Sequence, residues 1–438
     1  MKIIIQRGTK EIGGNCVEIC TEQTRLILDL GMPLVDPRDK TKKFESFSVS
    51  RMTLLQMLDA GILPAVKGLY EGHDDVKPVD ALLLSHPHQD HYGFCKYIRK
   101  DIPVYLSQDA NLMLGASDVF LPTQFGIHDQ RRFFQDRTPV QIGDFKVTPY
   151  LMDHSGYGAM AFLVEADGKK IFYSGDFRGH GRKSALFDKL LRLPPSGIDV
   201  LLMEGTMVDR TGEGVDTEQQ LENRIVKEAR KYPGMKLIQC SAQNIDRVVT
   251  FYRAAKRSGA IFVMDLYVAN VIHALERKTL PDPFNGFKDV QVLFTKHFMK
   301  RLEQKKISDW YKRWRPYEIR SAELMRAGGN VFAFYRENSE PELEPAGIPS
   351  GSVLFYSQWK GYMTEPSFKP TEAFCKRHGI AIVEAHTSGH AVVEDLVRLE
   401  KALKPLKITP IHSNSPEKYS KYFGNKVDCL QDGELREI

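Results

Sequence analysis

The chain has 438 residues, 42% of them hydrophobic and 27% charged, a balance that fits a soluble globular protein. That length exceeds what one hydrophobic core normally supports, so two domains are expected. A formal net charge of +5 and a pI near 8.7 permit a polyanionic partner without requiring one. The opening Met1-Lys2-Ile3-Ile4-Ile5 is too short an apolar run for a signal peptide, and no other run reaches membrane-spanning length, so no membrane partner is expected. Six scattered cysteines without a Cys-x-x-Cys pair make the cytoplasm the simplest compartment.

The first chain signals are strands and turns. Glu11-Ile12-Gly13-Gly14-Asn15 reads as a tight turn, and Cys16 and Cys20 share one face of the following strand. Leu26-Ile27-Leu28 is a strand that ends at Asp29. Residues 36–50, with Lys40, Lys42 and Lys43, read as a surface excursion, and residues 52–60 as a short amphipathic helix.

Ala81-Leu82-Leu83-Leu84 then forms a buried strand, followed by Ser85-His86-Pro87-His88-Gln89-Asp90-His91. Imidazole and carboxylate are the usual ligands of a hydrolytic zinc, and an ordinary loop gains nothing from packing them so densely. This spacing predicts a metal site at a strand's carboxyl end, where open α/β sheets bind ligands. Ligands of one metal centre must come from several loops, and the pattern recurs. Asp153-His154 follows the strand-like residues 145–150, and Ser174-Gly175-Asp176 follows residues 170–173. Just beyond the His86–His91 motif, residues 93–100 are expected to form a helix whose N-terminus faces the site. Residues 111–137 are expected to be helical, with Arg131 and Arg132 exposed.

Phe177-Arg178-Gly179-His180-Gly181-Arg182-Lys183 places glycines and cations beside Asp176, which suits an anionic substrate and marks Arg178 as a binding residue. Asp199-Val200-Leu201-Leu202-Met203-Glu204 repeats the strand-then-carboxylate arrangement. The character then changes. Helix at 217–231, strand at 235–240, helix at 244–258 and strand at 260–265 predict a small parallel-sheet domain. Residues 296–320 are the most basic part: Lys300, Arg301, Lys305, Lys306, Lys312, Arg313 and Arg315 interleave with Trp310, Tyr311 and Trp314. Cations neutralise phosphates and aromatic faces stack on unpaired bases. At helical spacing the aromatics could equally be a packed face.

The His-x-His-x-Asp-His motif and the later ligands resemble the metallo-β-lactamase superfamily. Glu204, Ala385-His386-Thr387-Ser388-Gly389-His390-Ala391 and Pro410-Ile411-His412 resemble motifs A, B and C of its β-CASP branch, the nucleic-acid-processing group. Gly13-Gly14-Asn15, Asn244-Ile245-Asp246-Arg247 and Tyr356-Ser357-Gln358 are similar to ribonuclease J-type enzymes, with Tyr356 in place of a glycine. Ser413 and Asn414 depart from the Gly-Glu that often follows motif C, which leaves the ligand intact and alters its surroundings. The chain stops soon after Asp432-Gly433, so the extra C-terminal domain of ribonuclease J is not expected.

The resemblance implies an αββα sandwich with an inserted α/β domain. The expected boundaries are 1–205 and 375–438 for the sandwich and 206–374 for the insert. It implies two zinc ions, with manganese or magnesium as possible substitutes. One ion takes His86, His88 and His154; the other takes Asp90, His91 and His412; Asp176 bridges, and a metal-bound hydroxide attacks. Asp90 thus counts as both ligand and catalytic residue. His390, held by Glu204, would protonate the leaving oxygen, and on that reading Glu204→Gln is the milder of the two substitutions. His386 and Ser388 would contact substrate phosphate, and Asp29 would orient a ligand histidine. The implied activity is a ribonuclease, exo- or endonucleolytic, on single-stranded RNA, with DNA and a homodimer as further possibilities. The alternatives are a DNA nuclease of the same fold, a small-molecule metallo-hydrolase, and a scaffold subunit without activity.

Overall fold

The computed structural model describes residues 1–121, 126, 129–210 and 214–438. The chain divides into two units. The first takes residues 1–114, 123–214 and 389–438; the second takes 115–122 and 215–388.

The first unit is an αββα sandwich. Among the described residues one sheet has seven strands, in the order Leu435–Glu437, Lys2–Arg7, Cys16–Cys20, Arg25–Leu28, Ala81–Leu83, Val104–Ser107 and Arg131–Phe134. The other has six: Lys407–Ile411, Val200–Glu204, Lys169–Tyr173, Met160–Ala166, Phe145–Leu151 and Val140–Ile142. Side chains alternate across each strand. Ile3, Ile5, Leu26, Leu28 and Leu83 therefore meet Phe145, Val147, Phe162, Ile171 and Leu202 between the sheets. Ile27, Leu82 and Leu84 point outward onto Met57, Tyr92, Phe94 and Leu114. On the far face Phe172, Leu201 and Met203 pack on Phe187, Leu190, Leu396 and Leu399 of the helices Ser184–Arg192 and Val393–Leu403. Strands buried on both faces read as continuous apolar runs, which is how Ala81-Leu82-Leu83-Leu84 appears in the sequence.

The second unit is a parallel seven-stranded sheet in the order Glu318–Ile319, Val290–Leu293, Ile261–Asp265, Val331–Phe334, Lys236–Gln239, Val353–Tyr356 and Ala381–Glu384. Its helices start where the chemistry says they should. Thr217 closes a capping box with Gln220 on the helix Glu218–Ala229, and Asn244 accepts the Arg247 N–H on the helix Ile245–Arg257. Arg247 is fully buried, paired with Glu218 at 3.1 Å and donating to the carbonyls of Ala385 and Thr387.

Four expectations differ from what forms. The insert ends at 388 rather than 374, because Ala381–Glu384 pairs in parallel with Val353–Tyr356 and so completes the insert's own sheet. Its start is at 215, not 206, and it also recruits residues 115–122. The helix expected at 93–100 comes earlier: the motif itself makes the turn Gln89–Tyr92, Gly93 caps it, and only a 3-10 turn follows at Cys95–Tyr97. In the 111–137 span the helix Gln108–Asp118 ends early, and Arg131–Phe134 is an edge strand on Val104–Ser107; residues 122–125 and 127–128 lie outside the described residues. With Phe134 its one buried side chain, that strand shows no alternation to read. The six cysteines are all free, and among the described residues no helix is long and apolar enough to cross a membrane.

Candidate metal centre

The strands Arg25–Leu28, Ala81–Leu83, Phe145–Leu151, Lys169–Tyr173, Val200–Glu204 and Lys407–Ile411 each hand over to a residue of one polar cluster at the end of the sandwich. The motif's local conformation sorts its side chains. An extended backbone through His88 puts His86 and His88 on one side, and the helical turn Gln89–Tyr92 swings Asp90 and His91 to another. His86, His88 and His154 form one donor group; Asp90, His91, Asp176 and His412 form a second; Asp176, Glu204 and His390 form a third, with donor atoms in each within 4.8 Å of one another. Every metal residue expected from sequence is brought together here. Gly31 allows the close packing: a Cβ there would lie 1.6 Å from the Asp90 carbonyl oxygen.

Asp176 stands at the centre. Its Oδ2 lies 3.2 Å from His91 Nε2, 3.6 Å from His412 Nε2, 3.7 Å from His86 Nε2 and 3.5 Å from His390 Nδ1. Hydrogen bonds on the far side of each ring decide which nitrogen carries a proton. His91 Nδ1 donates to Asp29 Oδ2 at 2.8 Å, and His154 Nδ1 donates to the Gly389 carbonyl at 2.6 Å. Ser85 Oγ donates to Asp29 Oδ2 at 2.7 Å and so accepts from His86 Nδ1 at 3.0 Å. His86 and His154 therefore turn a bare Nε2 toward the cluster, and His91 turns an Nε2 that faces Asp176. His154 Nε2 comes within 3.1 Å of His88 Nδ1.

Charge follows the same logic. Burial, reinforced by the neighbouring imidazoles, holds His86, His154 and His412 well below the ordinary histidine value; burial also takes His88 down to about 4, against the pull of Asp90. Burial opposes a charge on His91 as well, yet Asp176 and Asp29 hold it well above that value. The centre thus keeps four imidazoles neutral, and its two carboxylates Asp176 and Asp29 favour positive charge at His91. His86 Nε2, His91 Nε2, His412 Nε2 and both Asp176 oxygens are buried without a hydrogen-bond partner. Buried polar atoms are otherwise almost always satisfied. This donor set fits divalent metal.

Glu204 is fully buried and ties three loops together. Its Oε1 accepts the N–H groups of Phe177 and Ala391, each at 3.2 Å, and its Oε2 accepts Thr206 N–H at 3.1 Å. His390 Nδ1 lies 3.4 Å from Oε2. Burial works against the His390 charge, but Glu204 and Asp176 outweigh it and push the imidazole up to about 9.

The remaining expected residues fare differently. Arg178 is not a substrate contact in this structure: it is fully buried, with Nε 3.7 Å from Asp153 Oδ1, and Gly181 N–H also donates to Asp153. The 177–183 turn folds onto that carboxylate instead of presenting its guanidinium. His386 and Ser388 belong to the second unit. Within that unit the aromatics of the basic stretch turn inward and several of its cations are answered by the protein itself. Trp314 and Tyr311 are buried, Arg301 and Lys305 donate to the carbonyls of Phe120 and Asp118, Lys312 pairs with Asp309, and Arg315 pairs with Glu318 at 2.6 Å. Of these cations Arg301 is half-buried and Lys305, Lys312 and Arg315 are exposed but paired, while Lys300, Lys306 and Arg313 are exposed too, Arg313 over the half-buried Trp310 ring at 4.8 Å. Sequence reasoning passed over Ser85, Tyr173 and the Gly389 carbonyl. Tyr173 OH donates to Asp29 Oδ2 at 2.6 Å, and the one available signal was Ser85's place beside His86.

Residues 60–226 match the family model of the β-lactamase superfamily domain. That stretch is similar to the superfamily's domain. Ribonuclease J of Mycoplasma genitalium (strain ATCC 33530 / DSM 19775 / NCTC 10195 / G37) is 27% identical over 256 residues, covering 56% of this chain and 40% of that protein. Endoribonuclease ysh1 of Schizosaccharomyces pombe (strain 972 / ATCC 24843) is 26% identical over 240 residues, covering 49% of this chain and 29% of its own. The chain therefore spans less than half the length of these relatives. A crystal structure of a protein of unknown function from Enterococcus faecalis V583 superposes with a TM-score of 0.78 over 99% of both chains at 19% identity, which shows the same fold. Together the family match and these relatives liken the chain to the β-CASP, ribonuclease J-like branch.

Proposed function

We propose that this protein is a cytoplasmic ribonuclease that hydrolyses phosphodiester bonds of single-stranded RNA with two zinc ions, manganese or magnesium being able to substitute. The observation that carries the proposal is the pair of adjoining donor clusters that meet at Asp176, with buried imidazole nitrogens that have no hydrogen-bond partner. His86, His88 and His154 would hold one ion and Asp90, His91 and His412 the other. Bound divalent ions lower the pKa of water and stabilise the attacking and leaving oxygens of an in-line displacement.

The chain's own groups do the rest. Asp29 and Ser85 hold His91 and His86 in the tautomers that expose Nε2. His390, with Nδ1 3.4 Å from Glu204 Oε2, delivers a proton to the departing oxygen. Such help is typically worth about 10²–10⁴-fold. His386 and Ser388 bind substrate phosphate. RNA is favoured over DNA by the relatives named ribonuclease J and endoribonuclease, and free cysteines fit a reducing compartment.

The test is incubation of the zinc-supplemented protein with 5′-monophosphorylated, 5′-hydroxyl and circular RNA, with labelled DNA as competitor, followed by product mapping. Cleavage of RNA that DNA does not suppress supports the reading. Metal-dependent cleavage of DNA alone would replace it with a DNA nuclease.

A further inference from the structure

Three consecutive residues anchor on three parts of the centre. The Gly389 carbonyl accepts His154 Nδ1–H at 2.6 Å, His390 Nδ1 lies 3.5 Å from Asp176, and Ala391 N–H donates to Glu204 at 3.2 Å. Of the three, His390 alone uses its side chain. Gly389 is also where the chain re-enters the first unit, after residues 385–388 lead away from the insert's last strand, Ala381–Glu384. The other oriented ligands differ in kind. His91 and His86 depend on Asp29 at the end of a sandwich strand, whereas His154 takes its acceptor from the backbone of the return crossing.

We propose that Gly389 is a positioning residue for the three-histidine cluster. Its carbonyl fixes the tautomer and ring angle of His154, so metal affinity at His86, His88 and His154 depends on the path of the crossing and not on the His390 side chain. The inference rests on the reading of these histidines as metal ligands. An outer partner of a ligating imidazole typically sets 10–100-fold of metal affinity. By reciprocity, whatever displaces the crossing weakens this metal, and the metal steadies the crossing. Glycine suits the position sterically. Its φ lies outside the left-handed region, but a Cβ would stand 2.8 Å from Ser155 Oγ and 3.7 Å from His154 Cε1. Alanine would therefore crowd Ser155 Oγ, and the contact is relieved either by that hydroxyl turning or by the carbonyl leaving its line, which removal of Ser155 Oγ separates.

The test titrates the full chain with zinc alone against a competing chelator, for wild type, Gly389→Ala, His390→Ala and the double variant Gly389→Ala with Ser155→Ala. Gly389→Ala should weaken one binding step by about 10–100-fold and leave the other at wild-type affinity, which a misfolded chain could not do. His390→Ala should bind as wild type. Removing Ser155 Oγ relieves the 2.8 Å contact, so the double variant should recover most of the loss. With cobalt in place of zinc, the visible bands of one site should shift in the single variant and return in the double. Wild-type affinity in Gly389→Ala, or no recovery in the double variant, overturns the inference. A wild-type chain that binds no zinc would instead remove the metal reading on which it stands.

Discussion

Asp29→Asn tests the buried carboxylate on which two ligand rings depend. Asp29 is fully buried and accepts four hydrogen bonds: Ser85 N–H on Oδ1 at 2.7 Å, and Ser85 Oγ at 2.7 Å, His91 Nδ1 at 2.8 Å and Tyr173 OH at 2.6 Å on Oδ2. Its φ of 60° is left-handed, a conformation asparagine adopts as readily as aspartate, so the substitution changes charge and acceptors without straining the backbone. An amide has one oxygen. If that oxygen keeps the three donors of Oδ2, the NH₂ group confronts Ser85 N–H, and a buried unsatisfied donor costs about 1–3 kcal/mol. The three retained bonds lose their charge assistance, so the total is about 2–4 kcal/mol. At roughly 2–4 °C per kcal/mol for a body of this size, Tm should fall by about 5–15 °C with chelator present. Zinc affinity should drop about 10–100-fold, because His91 and His86 lose the partner that fixes their tautomers. Thermal melts and chelator-competed zinc titration measure both quantities. Affinity within twofold of wild type with an unchanged Tm would refute the role assigned to Asp29.

Stripping metal should destabilise the first unit: a ligand at a hundred times its Kd contributes about 2.7 kcal/mol, so melts with and without chelator should differ by several degrees, and coincident melts would count against a resident metal. Asp90→Ala and His91→Ala should abolish turnover with little change in circular dichroism, since both side chains serve the cluster; near-wild-type cleavage in either would displace the site. Replacing the exposed Lys300, Lys306 and Arg313 by glutamine should flatten the salt dependence of RNA binding, whose slope is roughly −0.7 per neutralised phosphate. Arg301 and Lys305 substitutions should instead lower thermal stability, because those side chains hold the carbonyls of Phe120 and Asp118; a flattened slope from these alone would return them to substrate.

The densest motif was the most legible. No structural need crowds His86, His88, Asp90 and His91 into one turn, so chemistry stands out there, and the later ligands could be found because a strand end is readable from an apolar run. What escaped was whatever depends on partners remote in sequence. Arg178 looks like a substrate contact until Asp153 is found buried against it. Counting cations in residues 296–320 cannot reveal that two of them are answered by carbonyls near residue 120. Residues 381–384 read as a return to the first domain, because an apolar strand does not announce which sheet will accept it, and pairing with Val353–Tyr356 decides. The helix at 93–100 failed for a local reason: Gly93 ends a turn that the metal motif had already begun.

The ranking of Glu204 and His390 reverses once the hydrogen bonds are counted. From sequence, Glu204→Gln removes only charge and orientation and should be the milder change. In the structure Glu204 accepts three backbone N–H groups as well as facing His390. A glutamine oxygen placed to keep Phe177 and Ala391 leaves its NH₂ group against Thr206 N–H and His390 Nδ1, donor against donor. One buried unsatisfied N–H costs about 1–3 kcal/mol, or roughly 2–12 °C in Tm. The same substitution withdraws the charge that holds the His390 proton, so proton delivery falters too. His390→Ala leaves the Glu204 carboxylate with its three backbone donors, so the fold should be kept and Tm should move little. Its rate on RNA should fall about 10²–10⁴-fold, equivalent to roughly 3–5 kcal/mol of transition-state stabilisation. A p-nitrophenyl phosphodiester has a leaving group that barely needs a proton, so His390→Ala should be largely rescued on it. Glu204→Gln, whose damage includes the loops carrying Asp176 and His390, should not be. Glu204→Gln with wild-type Tm and the smaller rate loss would restore the ranking expected from sequence. Equal impairment of His390→Ala on both substrates would take the proton from His390 and leave it a phosphate-binding group.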